Sequence, residues 1–334
     1  SERANGKPQM KRWLKPAVSI GLLAAIFYFL PWHEVQAAIS RLRFTTWALV
    51  LLGFLAGHRL GVAKWRMLVN AGRARMKSRD AIRCYAAGLF ANLCLPTVVG
   101  GDVVRAALAA RATGRIEAAF FGSAADRAID IAATGLLIAV GGVLSRDSFP
   151  GWAGELLAVG LLVVAIAVLA CVPLLLRRRL NRWPKKIRRP VGRSLVVLRR
   201  MSRSPGTAVM AAMISLAMQS GFVLLNAWIG RSVGITVSIT VWFFVWPLAK
   251  IAGLLPISLG GLAVRDATLA ALLAPAGVPV TLGIVAALIW QSVMISGGLV
   301  GGAVWWALSG GQTGWRDVTG TRRTGELEPN ANHA

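Results

Sequence analysis

Six predominantly apolar runs, residues 17–30, 46–63, 117–144, 152–176, 207–230 and 281–308, constrain this chain more than any other feature. Most are close to the roughly 20 residues that cross a bilayer core as helix, and the first is shorter. Lipid offers no hydrogen bonds, so a segment that crosses it alone must be helical. Of the 334 residues 56% are hydrophobic, and mean hydropathy is +0.61, too apolar for a soluble domain of this length. The chain is therefore expected to be an all-α polytopic membrane protein with about six spanning helices.

Charge sets the orientation. The formal net charge is +25, and the basic residues fall in blocks between the apolar runs. Residues 1–16 hold five, 64–83 hold seven, and 177–203 hold twelve with no acidic residue among them. All three segments are predicted to be cytoplasmic, facing anionic lipid. The connections 31–45, 145–151 and 231–238 carry little charge and face outward in this reading. Arg316, Arg322 and Arg323 return the tail, 309–334, to the inside, so both termini are cytoplasmic. Basic blocks of this kind do not form one continuous face, and no nucleic-acid partner is expected. Trp13, Trp32, Trp47, Trp65, Trp152, Trp305 and Trp306 lie near predicted span ends, where an indole sits well at the interface. Cys84, Cys94 and Cys171 have neither metal-ligand nor disulfide spacing and read as apolar packing residues.

Two segments, 84–113 and 239–276, consist of paired apolar arms around a Pro and Gly break. The first has basic residues at both ends, so both ends belong inside. Its arms of about 12 residues reach about 18 Å as helix, against a core of roughly 30 Å. A re-entrant hairpin satisfies both conditions. The second segment follows an outward connection and precedes a span that must end inside, so its hairpin enters from the opposite face. The breaks share sequence: "LPTVVGGDVVR" (95–105) and "LPISLGGLAVR" (255–265) agree at Leu, Pro, both Gly, Val and Arg, with a constant offset of 160. Two oppositely oriented hairpins with one motif form an inverted repeat. The single transmembrane domain is then 17–308.

Pro96 and Pro256 remove a backbone donor, and Gly100, Gly101, Gly260 and Gly261 relax the backbone, so each hairpin turns at these residues. The second arm then starts inside the membrane, with free N–H groups and the positive end of its dipole pointing at the break. Such an end receives anions. Arg105 and Arg265 lie about one turn into these arms and add full charge. The span 117–144 carries "DRAID", with Arg127 about 15 Å deep and Asp126 and Asp130 spaced i, i+4 on one face. Arg105, Arg127, Lys250 and Arg265 thus face Asp102, Asp126, Asp130 and Asp266. Four cations against four carboxylates can be plain structural ion pairs, yet intramembrane charges are usually functional, and the two readings are compatible. The set is expected to bind an anionic headgroup such as phosphate.

Asn92, Gln219, Asn226 and Gln291 read as interhelical hydrogen-bonding partners. His58 and Arg59 are placed near the cytoplasmic interface. The three histidines are scattered, so no metal site and no cofactor are expected, and "VGGD" lacks the pattern of a nucleotide-binding loop. "SGGLVGGAVWW" (296–306) reads as a small-residue helix contact.

The stretches "LPTVVGGDVVRAALAARATG", "SAADRAID" and "LPISLGGLAVRDATLAALL" resemble the paired signatures of the lysylphosphatidylglycerol synthase transmembrane, or flippase-like, family, over about residues 15–310. The second motif departs from the family's GG-x-G-x-R-E pattern at Ala263 and Asp266. The resemblance implies a module that moves lipids or lipid-linked headgroups between leaflets of the bacterial inner membrane. In two-part synthases of this kind a soluble domain makes the lipid and the membrane part exports it. Residues 309–334 are polar and lack a fold-sized core, so lysyl transfer is not expected. The reading is a flippase-like transporter, not an enzyme, whose partners are an anionic membrane lipid and an enzyme of lipid synthesis. The alternatives are a membrane-embedded lipid-modifying enzyme with Asp126 or Asp130 as base, and an accessory subunit of an envelope-lipid pathway.

Overall fold

The computed structural model describes residues 33, 36, 37, 40–95, 100–149, 205–254 and 262–309. Among them every regular element is helical. The order is α1 (Phe44–Ala71), α2 (Ser78–Cys94), α3 (Gly100–Thr113), α4 (Ile116–Leu144), α5 (Pro205–Val233), α6 (Ile239–Ala252), α7 (Leu262–Leu273) and α8 (Val280–Leu308), with 3-10 turns at Arg146–Ser148 and Ala274–Ala276.

Four helices, α1, α4, α5 and α8, are long and apolar enough to cross a membrane. They contain the apolar runs 46–63, 117–144, 207–230 and 281–308; α4 and α8 add one residue each at the start, whereas α1 runs on by eight residues, from 64 to 71. The runs 17–30 and 152–176, the basic loop 177–203, and Pro96, Pro256, Gly260 and Gly261 lie outside the described residues. Exposed apolar side chains cover the long helices, among them Leu52, Val143, Met213 and Leu299. A soluble monomer does not tolerate apolar surface on this scale, whereas acyl chains cover it without cost.

The four remaining helices are short. At 1.5 Å per residue the 17 residues of α2 reach about 26 Å, and the 14, 14 and 12 residues of α3, α6 and α7 reach about 21, 21 and 18 Å. The first arm starts at Ser78, six residues before the expected boundary, because the connection 72–77 is tightly held. Asn70 Oδ1 accepts from the Met76 amide at 2.6 Å, and Arg66 Nε donates to the Met76 carbonyl at 2.9 Å.

The packing partners occur in corresponding pairs. α2 lies on α8 as α6 lies on α4, and α3 joins α2 to α4 as α7 joins α6 to α8. α1 touches α2, α4 and α8 as α5 touches α6, α8 and α4, and α1 and α5 pack on each other. Exchanging α1–α4 for α5–α8 therefore leaves this list of neighbours unchanged. Glycines permit the closest approaches. A Cβ on Gly88 of α2 would stand 2.7 Å from the Gly101 carbonyl oxygen of α3, so these backbones meet directly. A Cβ on Gly283 of α8 would stand 2.8 Å from the Ala270 Cα of α7. The expected small-residue contact of α8 is present: Gly297, Gly298 and Gly301 receive Phe54, Leu93 and the Ala86 carbonyl.

Candidate functional site

The short helices and the middles of the long ones enclose a cavity of about 570 Å³. Its wall includes Asp102, Arg105, Asp126, Arg127, Asp130, Lys250 and Arg265, seven of the eight charged residues singled out from sequence. The eighth, Asp266, holds Arg265 from beside it. The remaining wall is largely aromatic and amide: Phe54, His58, Tyr85, Phe222, Trp246 and Trp290, with Asn92, Gln219 and Gln291.

Arg105 is held by two carboxylates and two aromatic rings, and its Nε has no hydrogen-bond partner. One turn into α3, it is 5% exposed, and its Nη2 donates to Asp126 Oδ2 at 2.6 Å and lies 3.1 Å from Asp102 Oδ1. Its guanidinium carbon sits 5.2 Å from the ring centroids of both Trp65 and Tyr85. A planar, weakly hydrated guanidinium suits an aromatic slot that would strip an ammonium of water it cannot replace. Trp65 is therefore not an interfacial anchor, as its place near a span end suggested. It is fully buried, and its indole donates to Ser123 Oγ of α4 at 2.9 Å.

Asp102 is shared. It pairs with Arg105 on its own helix and accepts from Arg127 of α4, joining the two helices. It also lies in the first turn of α3, where a carboxylate is stabilised by the helix dipole. The Gly101 amide of the same turn donates to Asn92 Oδ1 of α2 at 3.0 Å. The N-terminus of α3, expected to receive an anion, thus already has an internal carboxylate and an amide partner.

The largest correction concerns Lys64. The charge rule assigns the whole basic segment 64–83 to the cytoplasm, but α1 continues to Ala71 and buries Lys64 at 1% exposure. Its ammonium lies 3.0 Å from Asp126 Oδ1, pairs with Asp130 and donates to Ser215 Oγ at 3.3 Å. Ser215 also donates to Asp130. Asp126 and Asp130, one turn apart, therefore grip one lysine between them. His58 also departs from expectation: it lines the cavity, with Nδ1 3.2 Å from the Tyr85 hydroxyl.

Arg265 of α7 is similarly buried, yet held differently. Nε and Nη2 contact Oδ1 of the adjacent Asp266 at 2.7 and 2.6 Å, and Nη2 donates to Gln291 Oε1 of α8 at 3.0 Å. Nη1 lies 3.0 Å from the Met294 sulfur, and the guanidinium stands 5.7 Å from the Trp246 ring centroid. Lys250, near the end of α6, donates to Gln219 Oε1 at 2.7 Å. Three of the four sequence-identified amides thus serve this site. Asn226 donates to the Phe222 carbonyl of its own helix instead.

With Lys64 included, five cations meet four carboxylates, not four meeting four. The group of charges, in which Arg127 and Lys250 are only partly buried, thus counts one more cation than carboxylates. Among the described residues no cluster of His, Cys, Asp and Glu has the makings of a metal site.

No curated protein and no solved structure matches the chain. The family described as "Lysylphosphatidylglycerol synthase TM region" matches residues 12–302, a stretch that contains all eight helices except the last turns of α8 and both copies of the Pro-Gly-Gly motif. The chain therefore belongs to the lysylphosphatidylglycerol synthase TM region family, membrane modules related to lipid handling.

Proposed function

We propose that this protein carries a lipid with an anionic or modified headgroup, or a lipid-linked glycan, between the leaflets of the bacterial inner membrane. The observation that carries the reading is the cavity. A polar, net cationic wall lies inside a shell of helices whose outer faces suit lipid. A headgroup passing through such a chamber keeps its charge among partners while its acyl chains remain outside. Arg105, Arg127, Lys250 and Arg265 supply positive charge along the path, and Asp102, Asp126, Asp130 and Asp266 hold these groups in place.

The architecture that accompanies this function is six spans and two re-entrant hairpins, α2–α3 and α6–α7, entering from opposite faces. Support comes from three sources. α3, α6 and α7 fall well short of a bilayer core of roughly 30 Å. The Pro-Gly-Gly motif recurs at an offset of 160. The neighbours of α1–α4 correspond to those of α5–α8. Both termini are cytoplasmic in this arrangement, and a separate enzyme of lipid synthesis supplies the cargo.

Reconstitution into liposomes containing headgroup-labelled anionic lipid tests the function. Movement of label to the protected leaflet, lost in Arg105→Ala and Arg265→Ala, is the expected result. Transfer undiminished in both variants overturns the site. Chemical turnover of the lipid without transfer establishes the enzymatic alternative, and neither activity establishes an accessory subunit.

A further inference from the structure

The five cations of the site are not equivalent. Lys64 and Arg105 each meet two carboxylates, and Arg127 and Arg265 each meet one. Lys250 meets none: among the described residues no carboxylate lies within ion-pair distance of it, and its partner is the neutral Gln219 amide at 2.7 Å. Of the five cations, Lys250 is therefore the one whose charged group has no carboxylate in direct contact. An ammonium has three donors, and one of them is occupied. The same cavity wall carries the apolar side chains of Met218, Phe222, Trp246 and Trp290, and the carboxylate that acts on Lys250 through space, beyond ion-pair distance, is Asp130. An ammonium with two donors to spare and no carboxylate in contact is the cation of the chamber most open to an incoming anion.

We infer that Lys250 is the ligand for the cargo's phosphate and that the cargo headgroup carries one net negative charge, as an unmodified phosphodiester lipid does. Arg105 and Arg265 are positioning residues, each in direct contact with at least one carboxylate, although Arg105 Nε has no hydrogen-bond partner. The inference rests on the lipid-carrying function above and narrows its cargo. A zwitterionic headgroup brings an ammonium of its own next to Lys250 and leaves the excess uncancelled. An aminoacylated headgroup with net positive charge makes it larger.

The test is equilibrium binding of fluorescent phosphatidylglycerol to the full chain in detergent micelles, with unlabelled competitors. Phosphatidylglycerol is expected to displace the probe at a concentration about tenfold or more below phosphatidylethanolamine, the scale of a hydrogen bond to a charged group. Lysyl-phosphatidylglycerol is expected to compete least. Lys250→Gln removes the preference and Lys250→Arg keeps it. Gln219→Glu is the second variant: it preserves shape but gives Lys250 an internal counterion, and it too is expected to abolish the preference. If Lys250→Gln and Gln219→Glu both discriminate as the parent does, Lys250 is not the ligand. A parent protein that prefers phosphatidylethanolamine or the lysyl lipid overturns the assignment of charge. Soluble glycerophosphoglycerol that competes as strongly as the lipid shows a site for free phosphodiesters instead. These readouts concern binding alone, so failure of leaflet transfer in liposomes would refute the carrier function separately.

Discussion

Arg105 of α3 and Asp126 of α4 meet at 2.6 Å inside a slot walled by Trp65 and Tyr85. Breaking such a pair from one side leaves Asp126 facing Lys64 alone and Asp102 facing Arg127 alone. Arg105→Ala is expected to cost about 3–5 kcal/mol, the usual result of stranding a buried charge. Arg105→Lys restores the charge but not the stack or the fork, and it should recover only part of the loss. Thermal unfolding in detergent measures both, and an Arg105→Ala midpoint equal to the parent's would show that the pair contributes nothing to the fold.

Lys64 makes a related case with a sharper control. Lys64→Met is expected to destabilise strongly, since Asp126 and Asp130 then share one helix face with little between them. Lys64→Met combined with Asp130→Asn removes one charge of each sign and should be less damaging than the sum of the single changes. A coupling of about 0.5–3 kcal/mol is the expected range for groups in direct contact. Strict additivity in the cycle would mean that the two residues do not interact.

Gly88 faces the backbone of Gly101, and a methyl group there would meet the Gly101 carbonyl at 2.7 Å and Arg105 Cβ at 3.1 Å. Gly88→Ala should push α3 away from α2, at a cost of about 1–3 kcal/mol for overpacking. The displacement also misaligns Arg105. Loss of lipid transfer larger than the loss of folded protein is therefore expected, with Gly206→Ala, which meets nothing within 4 Å, as the neutral comparison.

Opposite entry of the two hairpins is open to labelling. In a background lacking Cys84, Cys94 and Cys171, single cysteines at Val98 and Ser258 are expected to react with impermeant maleimides from opposite sides of sealed vesicles. Reaction of both from one side only would be incompatible with an inverted repeat.

The long helices were legible because lipid imposes one rule on every residue they contain, and an apolar run satisfies it locally. The charged set was legible for the complementary reason: Asp and Arg are expensive in lipid, so finding them in an apolar run marks the site. Lys64 escaped because it stands at the end of such a run, beside Arg66, where a lysine usually reaches back to water. What buries it comes from Asp130 and Ser215, 66 and 151 residues away, and neither carries a local sign of that contact. Trp65 was misplaced for the same reason. His58 looks interfacial in sequence and becomes part of the cavity only when α2 brings Tyr85 against it.

The two copies of the motif are tied down unequally. Asp102 and Arg105 fasten α3 to α4 through charge, whereas Arg265 of α7 spends its charge on Asp266, its neighbour in the same helix. What binds α7 to α8 at this level is a neutral amide and a thioether. A hydrogen bond from an ion to a neutral amide is worth about 1.5–3 kcal/mol, against about 3–5 kcal/mol for breaking a buried ion pair. Separating α3 from α4 would break ion pairs between helices, whereas separating α7 from α8 would break only ion–amide and ion–thioether contacts at this level.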